Sequence, residues 1–219
     1  MVIAIDGPAG SGKSTTAKHA AEKLGFIHIN TGAMYRGVTL KCIQGKIDLN
    51  SSSEINKILN QTEFEFCREG GSVLFMDGVD ISSEITSTQV TESVSKVSAI
   101  PMVREKLVQY QREMAGWLDV VLEGRDIGTV VFPDAEFKFF LIADIHERAR
   151  RRKKEMETMG EIVSLTELTA ELEERDRKDS TREHSPLKKA EDAVEIDTTG
   201  LSITEQVNRI VEIVNKSIK

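Results

Sequence analysis

Little in this chain would staple or anchor it. Its two cysteines, Cys42 and Cys67, form no CxxC pair and no metal-type cluster with the four histidines. Reduced thiols are the expectation, although spacing alone leaves a disulfide between them open. No apolar run approaches the roughly 18 residues needed to cross a bilayer, and no basic segment followed by an apolar stretch opens the sequence. A cytoplasmic protein with no membrane partner is expected. Positive charge is not in excess: the formal net charge is −7, whereas proteins that track nucleic-acid phosphates are usually basic, so no nucleic-acid partner is expected. Internal repeats and low-complexity linkers are also missing. A length of 219 residues with 39% hydrophobic content supports one core plus excursions, and a monomeric single domain, 1–219, is the expectation.

What is present begins at the amino terminus. Residues 7–14 read Gly-Pro-Ala-Gly-Ser-Gly-Lys-Ser, directly after the apolar run Val2-Ile3-Ala4-Ile5-Asp6. This is a GxxxxGK[ST] phosphate loop between a buried-type strand and a helix-forming segment, Lys13 to Leu24. Glycines let backbone amides converge on a phosphate, Lys13 adds a point charge, and the Ser14 hydroxyl can ligate Mg²⁺. The helix that follows turns its positive end toward the same phosphates. A nucleoside triphosphate site follows from these residues alone.

Farther along, Gly25 reads as a helix stop, residues 26–29 as a second strand and residues 33–44 as a helix. Ser51 to Glu54 fits a capping box for a short helix ending near Gln61. Residues 62–68 and 72–76 alternate with period two around Glu69-Gly70-Gly71, a hairpin signature, and residues 79–82 suggest a third short strand. Two helices, 88–99 and 102–115, are separated near Pro101. Short apolar runs at 120–122, 137–142 and 193–196 complete five candidate parallel strands. The predicted architecture is α/β: a doubly wound five-stranded parallel sheet with a small α+β insertion.

Three charged clusters remain. Residues 147–155 (ERARRRKKE) hold six basic side chains in nine positions. Such a run is commonly a solvated face, but beside a phosphate loop its arginines can cover a transferring phosphoryl group. Arg148 and Arg152, four apart, share one helical face. The run Glu174 to Arg182 mixes signs, as an exposed salt-bridged helix or a pocket wall would. Glu123-Gly124-Arg125-Asp126-Ile127-Gly128 lies just past the carboxyl end of a candidate central strand, where open α/β sheets bind ligands.

Taken together, IDGPAGSGKST (5–15), TGAMYR (31–36), Val103-Arg104, GRDIGTVVFPDA (124–135), ERARRR (147–152) and Glu174-Arg175-Asp176 with Asp179 and Arg182 resemble the bacterial cytidylate kinases, which are P-loop nucleoside monophosphate kinases. The resemblance runs nearly end to end. It implies a kinase core (1–37 and 100–219), a nucleoside monophosphate (NMP)-binding insertion (about 38–99) and a helical lid (about 147–162). It implies ATP on Gly7, Pro8, Ala9, Gly10, Ser11, Gly12, Lys13, Ser14 and Thr15, with Mg²⁺ on Ser14. It also implies Ser95, Arg104 and Asp126 on cytosine, Arg36 and Arg125 on the acceptor phosphate, and Arg175, Asp179 and Thr31 near the ribose and phosphate. Lys13, Arg125, Arg182, Arg148 and Arg152 would be catalytic, and the partners small nucleotides. There are departures. Many members end the loop Lys-Gly-Thr, where Ser14 and Thr15 stand here; Thr86 replaces a common arginine; Thr31 replaces a frequent serine.

The expected chemistry is in-line transfer of the ATP γ-phosphoryl group to CMP or dCMP, with no covalent intermediate and no dedicated base, because the acceptor phosphate is ionised at neutral pH. A kinase for another small acceptor and a nucleic-acid-stimulated ATPase are the competing readings. A GTP switch requires Asn-Lys-x-Asp, and both Asn-Lys pairs, at 56–57 and 215–216, lack the aspartate.

Overall fold

A computed structural model describes residues 1–66, 74–116, 118–158 and 160–218. Its centre is β1 (Val2–Asp6), whose Ile3, Ala4 and Ile5 have no exposed surface. A strand buried on both faces needs no polar alternation, which is why it reads as an unbroken apolar run. β1 lies between β6 (Val120–Gly124) and β7 (Phe137–Ile142), and β2 (Ile27–Asn30) and β8 (Val194–Asp197) complete a parallel sheet in the order β2-β6-β1-β7-β8. The register pairs Asp6 with Gly124 and with Phe140. The end of β1, where the phosphate loop begins, therefore lies beside the start of the Arg125-Asp126 segment.

Helices cover both faces. On one, α1 (Lys13–Leu24) and α8 (Ile203–Ile218) contribute Ala17, Ala20, Ala21, Val207, Ile210 and Val214 to a cluster with Ile3, Ile5, Phe139 and Leu141. On the other, Ala4, Leu122 and Ile29 meet Ala115 of α5 (Pro101–Ala115). A further cluster joins α2 (Thr31–Gln44), α3 (Ser52–Asn60), α4 (Thr88–Ser98) and α5 to a small antiparallel sheet of β3 (Phe64–Phe66), β4 (Leu74–Met76) and β5 (Val79–Asp80). The boundary expected near residue 38 falls inside α2, whose Met34, Tyr35 and Val38 all belong to this cluster. The remaining helices, α6 (Ile145–Thr158) and α7 (Leu165–Thr181), pack together over Ala9 of the phosphate loop. No helix among the described residues is long and apolar enough to cross a membrane.

Several boundaries differ from expectation for local reasons. α2 starts at Thr31 because the Asn30 side chain accepts from Ala33 N at 3.0 Å and caps it. The capping box at α3 is half formed: Ser51 Oγ accepts from Glu54 N, but the Glu54 carboxylate turns to Asp48 N. Cys42 is buried and unpaired, while Cys67 and the turn at 69–71 lie outside the described residues. A π-helical turn, Ile127–Val131, has no counterpart in the sequence reading.

Candidate active site

The phosphate loop leaves β1 through Gly7, where a Cβ would lie 2.2 Å from Leu141 O. It enters α1 through Gly12, a left-handed cap at φ 88°. Lys13 folds back so that its Nζ donates to Pro8 O at 3.0 Å. Burial, followed by the nearby Arg125 guanidinium, pushes this ammonium down to about 7, against the pull of Glu123. Thr198 Oγ1 donates to Ser11 O at 2.9 Å and Thr16 Oγ1 donates to Gln206 Oε1 at 2.7 Å, which fix the loop from behind. Gly10 and Thr15 are exposed, Pro8 is half-buried, and the buried Ser11 Oγ has no hydrogen-bond partner among the described residues. Ser14, exposed on the first turn of α1, donates from Oγ to Glu123 Oε2 at 2.5 Å.

Glu123 opens the charged run singled out at the end of β6, but no role attached to it from the motifs. It is 2% exposed at the end of β6, with His28 Nε2 3.5 Å from its other oxygen. Burial alone would lift its carboxyl, yet His28, Lys13 and Ser14 together hold it below the ordinary range. Its place at the carboxyl end of a central strand was the available signal.

Beside the loop opens a pocket. Every residue expected on the acceptor side lines it: Thr31 and Arg36 from α2, Ser95 from α4, Arg104 from α5, Arg125 and Asp126 after β6, and Arg175 and Asp179 from α7. Arg182 lines it too. Five guanidiniums thus face two carboxylates, a balance that suits a polyanionic ligand. The ion pairs order the wall. Asp126 Oδ2 pairs with Arg104 Nη2 while its Oδ1 lies 3.8 Å from Arg182 Nη2, and Asp179 Oδ2 accepts from Arg125 Nε at 2.8 Å. Burial would raise the Asp179 carboxyl, but Arg125 and Arg175 outweigh it and hold it low. Arg36 is brought down to about 9 by burial and then by Arg175, Arg152 and Arg125, and Arg175 to about 10 by burial and then by Arg125. Three buried donors in this pocket, Arg104 Nε, Arg175 Nε and Arg182 Nη2, have no hydrogen-bond partner among the described residues. Such donors call for acceptor oxygens.

Tyr35, also missed, forms part of the floor. Its ring centroid lies 5.2 Å from the Arg104 guanidinium carbon, and burial pushes its hydroxyl up to about 12. Arg36 is aimed by two bonds from Nη1, to Ile85 O at 3.0 Å and Thr91 Oγ1 at 2.9 Å.

The arginines of α6 divide. Arg148 is 7% exposed and donates to Ala9 O at 3.0 Å, Ala143 O at 3.2 Å and Asp176 Oδ2 at 2.5 Å, so it fastens α6 to the phosphate loop. Arg151 holds Thr198, and Arg150 pairs outward with Glu147. Arg152, half-buried, pairs with Glu155 and is near enough to Arg36 and Arg175 to lower both. α7 realises both readings of its mixed charges at once. Glu174, Arg177 and Lys178 pair on the exposed face, while Arg175 and Asp179 enter the pocket.

The sequence model of the cytidylate kinase family matches residues 3–216. A Lactobacillus johnsonii cytidylate kinase is 48% identical across all of this chain and 96% of its own length. A Desulforamulus reducens cytidylate kinase is 51% identical over 98% of this chain and 96% of its own. Among solved structures, an uncharacterized Eubacterium ventriosum protein shares the fold at a TM-score of 0.54 and 12% identity, covering 98% of both chains. A Thermus thermophilus protein does so at 0.51 and 16%, covering 100% of this chain and 98% of its own. With a parallel five-stranded kinase core, a phosphate loop and full-length relatives near 50% identity, the chain belongs to the cytidylate kinase family.

Proposed function

We propose that the protein transfers the γ-phosphoryl group of ATP to CMP and dCMP, giving ADP and the cytidine diphosphates. The observation that carries this is the arginine pocket. Three buried guanidinium donors without a hydrogen-bond partner among the described residues, and a surplus of positive charge, sit beside a phosphate loop, with two buried carboxylates, Asp126 and Asp179, among them. The residues also fit Mg²⁺: Ser14 Oγ and the buried Glu123 carboxylate offer the hard oxygens that ion prefers alongside phosphate oxygens. When bound there, the ion neutralises charge on the β- and γ-phosphates.

Each residue then has a stated task. Backbone N–H groups from Ala9 to Thr15 cradle the triphosphate, Pro8 having none to donate, with Lys13 as its point charge. Arg36 and Arg125 hold the acceptor phosphate in line, and Arg182 and Arg152 stand over the region where charge spreads in the transition state. Arg148 acts by keeping the loop in shape. Asp126 accepts from the cytosine amino group, Arg104 or Ser95 donates to N3 or O2, and Arg175, Asp179 and Thr31 take the sugar and its phosphate. No base is needed for an acceptor already ionised at neutral pH.

Incubation with CMP, ATP and Mg²⁺ followed by anion-exchange chromatography tests the reading. CDP and ADP should appear in equal amounts and stop appearing with excess chelator. ADP formed without CDP would assign the protein to the ATPases instead.

A further inference from the structure

The two halves of the site are tied together at Asp6. This residue closes β1 one position before Gly7 and is 4% exposed. Its Oδ1 accepts from Ile127 N at 2.9 Å and its Oδ2 from Gly128 N at 2.8 Å. Those two amides open the π-helical turn that immediately follows Asp126. Arg112 of α5 holds the far end of the same turn, donating from Nε to Val131 O and from Nη2 to Val130 O, both at 2.9 Å. The turn that directly follows Arg125 and Asp126 is therefore gripped by its first amides on one side and its last carbonyls on the other.

A carboxylate at this place is costly. Burial pushes the Asp6 carboxyl up to about 6 although two amides donate to it, and Asp126 works in the same direction as burial. Only a carboxylate offers two acceptors in one plane at this reach; an amide of the same shape would turn an NH₂ group on one of the two backbone donors.

We propose that Asp6, with Arg112, is a positioning residue for acceptor recognition. It fixes Arg125 and Asp126 relative to the phosphate loop, so that the base and acceptor phosphate lie in register with the donor. The inference rests on the reading that Asp126 selects cytosine.

The test is steady-state kinetics with CMP and UMP in the presence of ATP and Mg²⁺, on wild type, Asp6→Asn and Arg112→Ala. A wild type without preference for CMP over UMP would overturn the base-reading proposal and this inference with it. Given that preference, Asp6→Asn should raise KM for CMP at least tenfold and shrink the CMP to UMP ratio of kcat/KM at least tenfold, with KM for ATP within threefold. A purely structural role lowers the amount of active enzyme and moves neither KM for CMP nor the ratio. A folded Asp6→Asn with both within twofold of wild type overturns the inference alone. A rise in KM for ATP as large as that for CMP overturns it as well, because the defect would then lie in the phosphate loop. If Asp6→Asn does not fold, Arg112→Ala decides, since that side chain is exposed. It should raise KM for CMP about threefold and reduce the ratio, and unchanged values overturn the inference.

Discussion

Replacing Asp126 by asparagine should damage stability and specificity by different, separable amounts. Asp126 is 4% exposed, its Oδ2 is bound to Arg104 Nη2, and its Oδ1 lies 3.8 Å from Arg182 Nη2. Neutralising it leaves two buried guanidiniums without their carboxylate. Removing one partner of a buried pair costs about 3–5 kcal/mol, and the retained amide oxygen argues for about 3. At about 2–4 °C per kcal/mol for a chain of this size, Tm should fall by about 6–12 °C. Catalysis loses one acceptor for the cytosine amino group, about 1.4–3 kcal/mol, so kcat/KM for CMP should fall at least about tenfold. The new amide can donate to uracil O4. The CMP to UMP ratio should therefore shrink by more than the CMP loss alone. Thermal unfolding by circular dichroism, then coupled kinetics well below the variant's Tm, separates the two effects. A folded variant with an unchanged ratio would refute the reasoning, because Asp126 would not then face the base.

Three further outcomes are expected. Lys13→Ala should keep its circular dichroism spectrum and lose more than about tenfold in kcat/KM, over 1.4 kcal/mol, because the lost charge lies on oxygens that gain charge in the transition state; a variant above a tenth of wild type contradicts this. Arg148→Ala should lower Tm by several degrees, since it breaks bonds to Ala9 O and Ala143 O and strands Asp176, whereas Arg152→Ala should leave Tm nearly unchanged and lower kcat; scanning calorimetry with kinetics distinguishes them. Lys13 is held down to about 7 in the free protein, and a triphosphate stabilises its charged form, so ATP binding at pH 8 should take up protons and that uptake should fade below pH 6. Calorimetric titration in buffers of different ionisation enthalpy measures the uptake, and buffer-independent heats at pH 8 would contradict it.

The sequence revealed most where one local rule governs the outcome. β1 and β6 are legible because strands buried on both faces are largely apolar, β7 because its apolar residues bracket Lys138, and the phosphate loop because its glycines and Lys13 are contiguous. Two pieces of the acceptor pocket, the segment after β6 and the mixed-charge run of α7, were legible from position and charge, but the full set only through the family resemblance: its residues come from α2, α4, α5, α7 and the segment after β6, and no spacing rule joins them. What stayed hidden depends on distant partners. The turn at 127–131 is shaped by Asp6, 121 residues away, and by Arg112. The i to i+4 spacing put Arg148 and Arg152 on one helical face, but it could not tell that Arg148 is drawn under Ala9 while Arg152 stays at the rim with Glu155. Glu123 lacks a motif of its own, and its role is visible only once Ser14 and His28 are seen on either side of it.

The most direct test of the central claim is kcat/KM for CMP, dCMP, UMP and AMP in one coupled ADP-release assay with ATP and Mg²⁺. A site with a buried carboxylate accepting from the cytosine amino group, and arginine donors opposite, leaves two polar groups unpaired with uracil, a discrimination of about 10³-fold or more. CMP and dCMP should therefore lead by at least that factor over UMP and AMP. Equal values for CMP and UMP, or no ADP release with CMP, would contradict the account.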